Sequence, residues 1–346
     1  MNYLKTLMCL TALLPNLVLA DLPTVKMIAT GGTIAMKIDP VKNAPVPAIS
    51  GEDLLATVPE IRAVAHIEVD NISNIPSDYM MPSNWVALYQ SVTVALARDD
   101  IAGVIISHGT DTLEESAYFL DLTVDSKKPV VLIGAQRNAS EKDFDGPRNL
   151  LNAVRVAVSP KARNKGAMIV MNNQINAARE ATKSHTSDVE SFKSGDYGYL
   201  GRVNPDRIVF FRESLRRQHL TLQEKALPDV KIIPMYAGAD GSMVKSAVAI
   251  GAKGIVIQAL GMGNVNKPVF AEIKQAIAKG ITVVISTRVP NGEVLPVYGF
   301  EGGGNTLQDA GAIFAGDLSS QKARILLMLA LQAELDADHI QQLFRI

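Results

Sequence analysis

The chain has 346 residues, 47% of them hydrophobic, and a formal net charge of −1. That length can bury a large core and on its own divides into about two domains. A near-neutral charge provides no drive toward a nucleic acid or other polyanion, and five scattered histidines lack the spacing of a zinc site.

Residues 1–5 (MNYLK) followed by an apolar run over 7–20 have the charged start and hydrophobic stretch of a secretory signal. Val18-Leu19-Ala20 precedes a cut at Asp21, so the expected location is periplasmic or secreted. Pro15 and Asn16 interrupt the run, which is shorter than a membrane span of about 20 residues. The mature form is therefore expected to have no membrane anchor. The only cysteine, Cys9, lies inside this segment, so a processed chain would have no thiol to misoxidise in an oxidising compartment.

Residues 25–30 (VKMIAT) read as a strand, and Gly31-Gly32-Thr33 turns out of it, the glycines allowing positive φ or a close backbone approach beside the Thr33 hydroxyl. The polar, proline-spaced stretch 37–50 reads as a mobile loop, and residues 85–97 carry apolar positions at helical spacing. Residues 102–106 (AGVII) read as a parallel strand covered on both faces, with Thr112 and Glu115 as a capping box opening the next helix. Thr110 and Asp111 then sit at a strand's carboxyl end, where open parallel sheets bind their ligands. Residues 129–134 and 167–171 repeat the buried-strand pattern, and the alternation predicts parallel βαβ units. Between 213 and 230 the chain turns charged and loses its apolar runs, which marks a linker. Strands near 231–236, 254–260 and 281–287 and a final helix from Ser320 complete a second α/β block. No repeat, low-complexity tract or heptad is present.

These residues resemble a family. The blocks Ala29-Thr30-Gly31-Gly32-Thr33-Ile34-Ala35 and Ser107-His108-Gly109-Thr110-Asp111-Thr112-Leu113-Glu114-Glu115, with Asp145-Gly146-Pro147-Arg148-Asn149-Leu150, Arg179-Glu180-Ala181-Thr182-Lys183 and Gln321-Lys322-Ala323-Arg324, are similar to those of bacterial type II asparaginases, the glutaminase-asparaginase family. The resemblance covers essentially all of the expected mature chain. It implies an α/β fold of two domains, a larger N-terminal parallel-sheet domain and a smaller flavodoxin-like C-terminal one. The expected division is 1–20 signal peptide, 21–212 N-terminal domain, 213–230 linker and 231–346 C-terminal domain.

It also implies hydrolysis of a side-chain amide, asparagine's or also glutamine's, to a carboxylate and ammonia, by an acyl-enzyme or direct-displacement route and without metal or cofactor. Thr33 matches the attacking threonine. A lone threonine hydroxyl is a weak nucleophile and needs a base or charged neighbour within hydrogen-bond reach. Thr110, Asp111 and Lys183 match the family's second group, in which a lysine, readily stripped of basicity by burial, exchanges a proton. Backbone N–H groups near Thr110 and Ala135 match the donors to the amide oxygen. Ser77, with Asp78, Gly32 and Gly109, matches the substrate-binding positions, and Asp111 would also hold the substrate ammonium. His108 reads as a packing residue beside the turn. Asn264 matches an asparagine lent to a neighbouring subunit's site, which implies a homotetramer.

Two departures stand out. Where the family places an activating tyrosine, the loop reads Lys42-Asn43-Ala44-Pro45-Val46-Pro47-Ala48, and neither Ala44 nor Pro45 offers a side-chain hydrogen bond. The acidic residue that accompanies the asparagine has no counterpart; Glu293 and Glu301 flank a rebuilt, glycine-rich loop. The missing tyrosine leaves two alternatives, an amidohydrolase for another small amide or an amino-acid-binding pseudoenzyme. A dinucleotide enzyme is disfavoured because no Gly-x-Gly-x-x-Gly turn follows a strand.

Overall fold

The computed structural model describes residues 21–345; the expected signal segment, with Cys9, lies outside the described residues. The N-terminal part runs β1 (Thr24–Gly31), β2 (Met36–Asp39), β3 (Ala44–Pro47), α1 (Gly51–Ala56), β4 (His66–Ile75), α2 (Pro82–Ala97), β5 (Ile101–Ser107), α3 (Leu113–Thr123), β6 (Val130–Ile133), α4 (Gly146–Ala157), β7 (Ala167–Met171), β8 (Gln174–Ala177), β9 (Thr182–Lys183), β10 (Phe192–Lys193), β11 (Gly201–Val203) and β12 (Ile208–Phe210). The C-terminal part runs β13 (Val230–Pro234), α5 (Ser242–Ala249), β14 (Gly254–Ala259), α6 (Lys267–Ala278), β15 (Thr282–Thr287), α7 (Gly304–Asp309), β16 (Ile313–Phe314), α8 (Ser320–Gln332) and α9 (Ala337–Leu343).

The large sheet has the order β12-β11-β8-β7-β6-β5-β1-β4. From β4 to β7 it is parallel; β8, β11 and β12 extend it with antiparallel pairs. The sheet is thus mixed, parallel from its β4 edge through β7 and antiparallel beyond. The uninterrupted apolar runs follow from its being covered on both faces. Val104 and Ile106 of β5 join one core with Trp85, Leu88 and Phe119, whereas Ile105 joins the other with Leu150 and Val154 of α4. The C-terminal sheet, β13-β14-β15-β16, is parallel throughout, and its strands follow chain order without the inversion of the flavodoxin arrangement. The first of the two cores continues into it, through Ile255, Val283 and Leu326, so the domains share apolar contact.

The segment between β12 and β13 has no regular element, yet its charges are used. Arg217 pairs with Asp121 at 3.1 Å and Arg216 with Asp317 at 2.9 Å. Asp317 also takes Arg179 from both carboxylate oxygens (2.8 and 3.0 Å) and Tyr197 Oη at 2.7 Å. Burial alone would raise the Asp317 pKa; the Arg179 hydrogen bonds and charge, with Tyr197 and Arg216, overcome it and hold the carboxylate well below its ordinary range.

Two local expectations are corrected. The stretch read as a mobile loop is mostly a hairpin: β2 and β3 pair antiparallel from Met36↔Pro47 to Asp39↔Ala44. Its turn is closed by Asp39 Oδ1, which accepts from Val41 N and Lys42 N at 2.8 Å, and by Asn43 at φ +49°. Prolines fit there because β3 is an edge strand. The capping box on α3 does not form, because the Thr112 hydroxyl donates instead to the Ser77 carbonyl at 2.8 Å. That bond ties the turn after β4 to the turn after β5.

Candidate active site

Three strand ends meet because glycines leave room for one another. Gly31 (φ +108°) presses on the Ile75 backbone, and a Cβ there would fall 2.4 Å from Ile75 N. Gly32 N donates to Ile75 O at 2.9 Å. A Cβ on Gly32 (φ +83°) would fall 2.1 Å from Gly109 Cα, and one on Gly109 would fall 2.6 Å from Ser77 Oγ. Only glycine permits such approaches. A fourth turn joins after β6, where a Cβ on Gly134 would stand 2.8 Å from Thr110 Cγ2. The strand ends are also stitched by hydroxyls, Thr30 Oγ1 donating to Ser107 O and Ser73 Oγ to Thr30 O, both at 2.9 Å.

Into this junction the hairpin β9–β10 brings Lys183. Its Nζ donates to Thr110 Oγ1 at 2.8 Å and to Asp111 Oδ1 at 2.6 Å. Thr110 is buried, whereas the Asp111 side chain is 57% exposed, so the carboxylate opens the cluster to solvent. Thr33 begins a short 3-10 turn, Thr33–Ala35, and its hydroxyl bonds to no described residue. The backbone N–H groups of Thr110, Asp111 and Ala135 also donate to no described residue.

His108 is wholly buried. Trp85 Nε1 donates to Ser116 Oγ (3.0 Å), Ser116 Oγ pairs with His108 Nε2 (2.9 Å), and His108 Nδ1 pairs with Gly109 O (2.7 Å). The network is satisfied only by a neutral ring that carries its proton on Nδ1. Burial, opposed by the Gly109 carbonyl, lowers the pKa of this imidazole to about 4.

Of the residues singled out in the sequence, Thr110, Asp111 and Lys183 are directly bonded, and Gly32, Gly109 and Ser77 are in contact. Thr33 follows Gly32, Ala135 follows Gly134, and exposed Asp78 follows buried Ser77 in the turn Ser77–Tyr79. Asn264 lies apart in the C-terminal domain, where its Oδ1 accepts from Gly304 N at 3.1 Å. A cleft of about 500 Å³ between the domains is lined by Thr182, Arg288 and Lys322 but not by Thr33, Thr110 or Lys183; the junction lies outside it.

Two buried residues went unread in the sequence although both lie in the motif blocks. Glu114 Oε1 accepts from Thr182 Oγ1 (3.1 Å) and Lys183 N (3.3 Å). Lys322 Nζ donates to the carbonyls of Arg179 (2.9 Å) and Ala181 (2.5 Å). A lone lysine within the apolar helix sequence KARILLMLAL was the available signal.

The geometry has counterparts in known proteins. Residues 24–216 match the model of the asparaginase N-terminal domain and residues 229–344 that of the glutaminase/asparaginase C-terminal domain. The chain is 38% identical to L-asparaginase 2 of Escherichia coli over 337 residues, 93% of each chain. It is also 38% identical to a probable periplasmic L-asparaginase of Haemophilus influenzae over 94% of this chain and 93% of that one. The crystal structure of a probable cytoplasmic L-asparaginase from Campylobacter jejuni superposes with a TM-score of 0.85 at 37% identity, covering 93% of this chain and 99% of that one. With both domain models matched and this identity over nearly its whole length, the chain belongs to the asparaginase family.

Proposed function

We propose that the protein hydrolyses L-asparagine to L-aspartate and ammonia, with Thr33 as nucleophile. The observation that carries the reading is the Lys183–Thr110–Asp111 cluster, set against the Thr33 turn by the Gly32–Gly109 contact. Thr33 Oγ attacks the amide carbon, and its proton passes to the lysine-centred group. The free N–H groups of Thr110 and Ala135 receive the developing oxyanion. Ammonia leaves with a proton returned from the same group, and water then cleaves the ester. Asp111 uses Oδ1 for Lys183, and its other oxygen faces the substrate ammonium; Ser77, with Asp78 beside it, meets the α-carboxylate. Names of the relatives favour asparagine over another amide, and the assembled hydroxyl–lysine–carboxylate group favours turnover over mere binding.

The test is ammonia release by the chain from Asp21 with L-asparagine, L-glutamine and D-asparagine, beside Thr33→Ala and Thr110→Ala. Turnover of L-asparagine abolished in both variants is the expected result; turnover surviving Thr33→Ala overturns the assignment. Trapping of an ester on Thr33 by hydroxylamine separates the acyl-enzyme route from direct displacement.

The reading extends to assembly and location. Val289, Leu295, Val297, Tyr298 and Phe300 expose apolar surface on the loop that Asn264 holds, as expected if copies pair there and Asn264 serves a neighbour's site in a homotetramer. Sedimentation of a fully active monomer would defeat this. Export with cleavage near Ala20 rests on the charged and apolar start of the sequence, and the mass of the N-terminal peptide of natively produced protein decides it.

A further inference from the structure

We propose that Glu114 and Lys322 are positioning residues that clamp the backbone of Lys183, so that its Nζ stays within reach of Thr110; this rests on the reading of Lys183 as the proton carrier. A lysine side chain has four rotatable bonds, and fixing it costs rotamer entropy. The strand that carries it, β9, is only two residues long and pairs only with the equally short β10. The hairpin alone is too slight to fix a 2.8 Å contact.

Glu114 supplies a fixed reference. It lies in the first turn of α3, four residues beyond Thr110, and one of its oxygens takes both the Thr182 hydroxyl and the Lys183 N–H. The hydroxyl and the base are thereby referenced to one helix. Lys322 holds the same segment from its other side. It reaches from α8 of the C-terminal domain to the carbonyls of Arg179 and Ala181, and its Nζ lies 3.8 Å from Glu114 Oε2. That second oxygen is buried without a hydrogen bond. Both side chains are less than a tenth exposed.

A buried, imperfectly bonded ion pair is a poor stabiliser, since removing two charges from water costs more than such a geometry returns. An apolar pair would serve packing better. Costs of this kind concentrate where function requires a fixed geometry. The groups facing Lys322 are Glu114 on α3, Arg179 and Glu180 before β9, Asp317 before α8, and the Tyr118 ring at 6.0 Å.

The experiment compares full-length, folded variants with rates scaled to aspartate-binding sites. Glu114→Asp keeps the charge but loses reach; Glu114→Gln keeps the reach and the accepting oxygen but loses the charge. Glu114→Asp and Lys322→Met are expected to lower kcat by between about 10- and 100-fold, the scale of an ångström-sized misplacement. KM should stay within about 2-fold, with the pH limb of kcat displaced. Glu114→Gln should recover kcat to within about 3-fold of the parent, and the Glu114→Asp/Lys322→Met pair should cost no more than the worse single change. Wild-type kcat in Glu114→Asp, or a loss explained by the folded fraction alone with the pH limb unmoved, overturns the clamp. If Glu114→Asp does not fold, Lys322→Met decides by the same criteria. Lys183→Met in the same series separates the failures. If it is active, the proton-carrier reading falls; if it is inactive while the clamp variants are normal, only the clamp falls.

Discussion

The molecule has two open-sheet edges of the same kind, and among the described residues only one of them gathers a hydroxyl–lysine–carboxylate cluster. At the N-terminal edge, Gly32 and Gly109 let backbone meet backbone, and hydroxyls and N–H groups face the resulting junction. At the C-terminal edge, Gly263 (φ +104°) faces the side chains of Ile285, Phe314 and Val294. The loop beyond it exposes Tyr298 and Phe300, whose rings lie 5.8 Å apart, and its Asn264 side chain accepts from a backbone N–H. Parallel topology provides a crevice at both edges. The difference is that the N-terminal sheet is prolonged by antiparallel strands, and the chain leaving β8 returns as β9 with Lys183. A crevice became a candidate catalytic site where an added hairpin delivered Lys183 to it.

Changes at the two edges should therefore have unequal effects. Lys183→Met and Thr33→Ala should each reduce kcat by about 10³-fold or more, the scale of losing a nucleophile or its proton carrier; steady-state ammonia assays measure it, and a loss below tenfold in either would remove that residue from the mechanism. Next comes a matched glycine pair. Gly109→Ala sets a methyl 2.6 Å from Ser77 Oγ and 3.1 Å from Gly32 Cα, and should lower kcat/KM by about 10²-fold. Gly261→Ala, at φ +52° with no atom within 4 Å, should cost about 1–2 kcal/mol of stability and leave the rate unchanged. Equal kinetics in the pair would erase the contrast between the edges.

His108 yields a pH effect on stability. Its folded pKa, about 4, lies below the ordinary 6.5, so the unfolded chain binds the proton first as the medium acidifies. The contribution is complete above pH 6.5 and is lost as pH falls through about 4, amounting to roughly 3 kcal/mol. Denaturant titrations of the parent and of His108→Asn between pH 7 and 4 should converge toward acid; parallel curves would contradict it. The smallest change is expected from Ala44→Tyr. Ala44 is exposed and paired with Asp39 at the hairpin end, so a phenol there should alter kcat by less than about 2-fold, because lids matter only where they close over the reacting groups. A large gain would mean that β2–β3 swings over Thr33.

Much of this was legible because the relevant physics is local. Runs such as residues 102–106 reveal a strand covered on both faces, and Gly31-Gly32-Thr33 reveals a turn beside a hydroxyl. Lys183 could be placed only through its resemblance block, since nothing in Ala-Thr-Lys specifies a partner 73 residues earlier. The hairpin at 36–47 was hidden because prolines and charges report a break in helix and core, not the ladder of an exposed edge strand. The α3 cap was misread because the Thr112 hydroxyl had a long-range alternative in the Ser77 carbonyl. Glu114 and Lys322 lay in plain view within matched blocks, but their roles emerge only when α3, α8 and β9 are packed together.

The hydrogen-bonded chain from Trp85 through Ser116 and His108 to the Gly109 carbonyl has one more consequence. Trp85 is the only tryptophan in the protein, buried and stacked on Phe119 at 5.5 Å. Its indole is therefore a built-in optical reporter, three hydrogen bonds from Gly109, the residue packed against Gly32, and its emission is positioned to follow occupancy of the junction with no label attached.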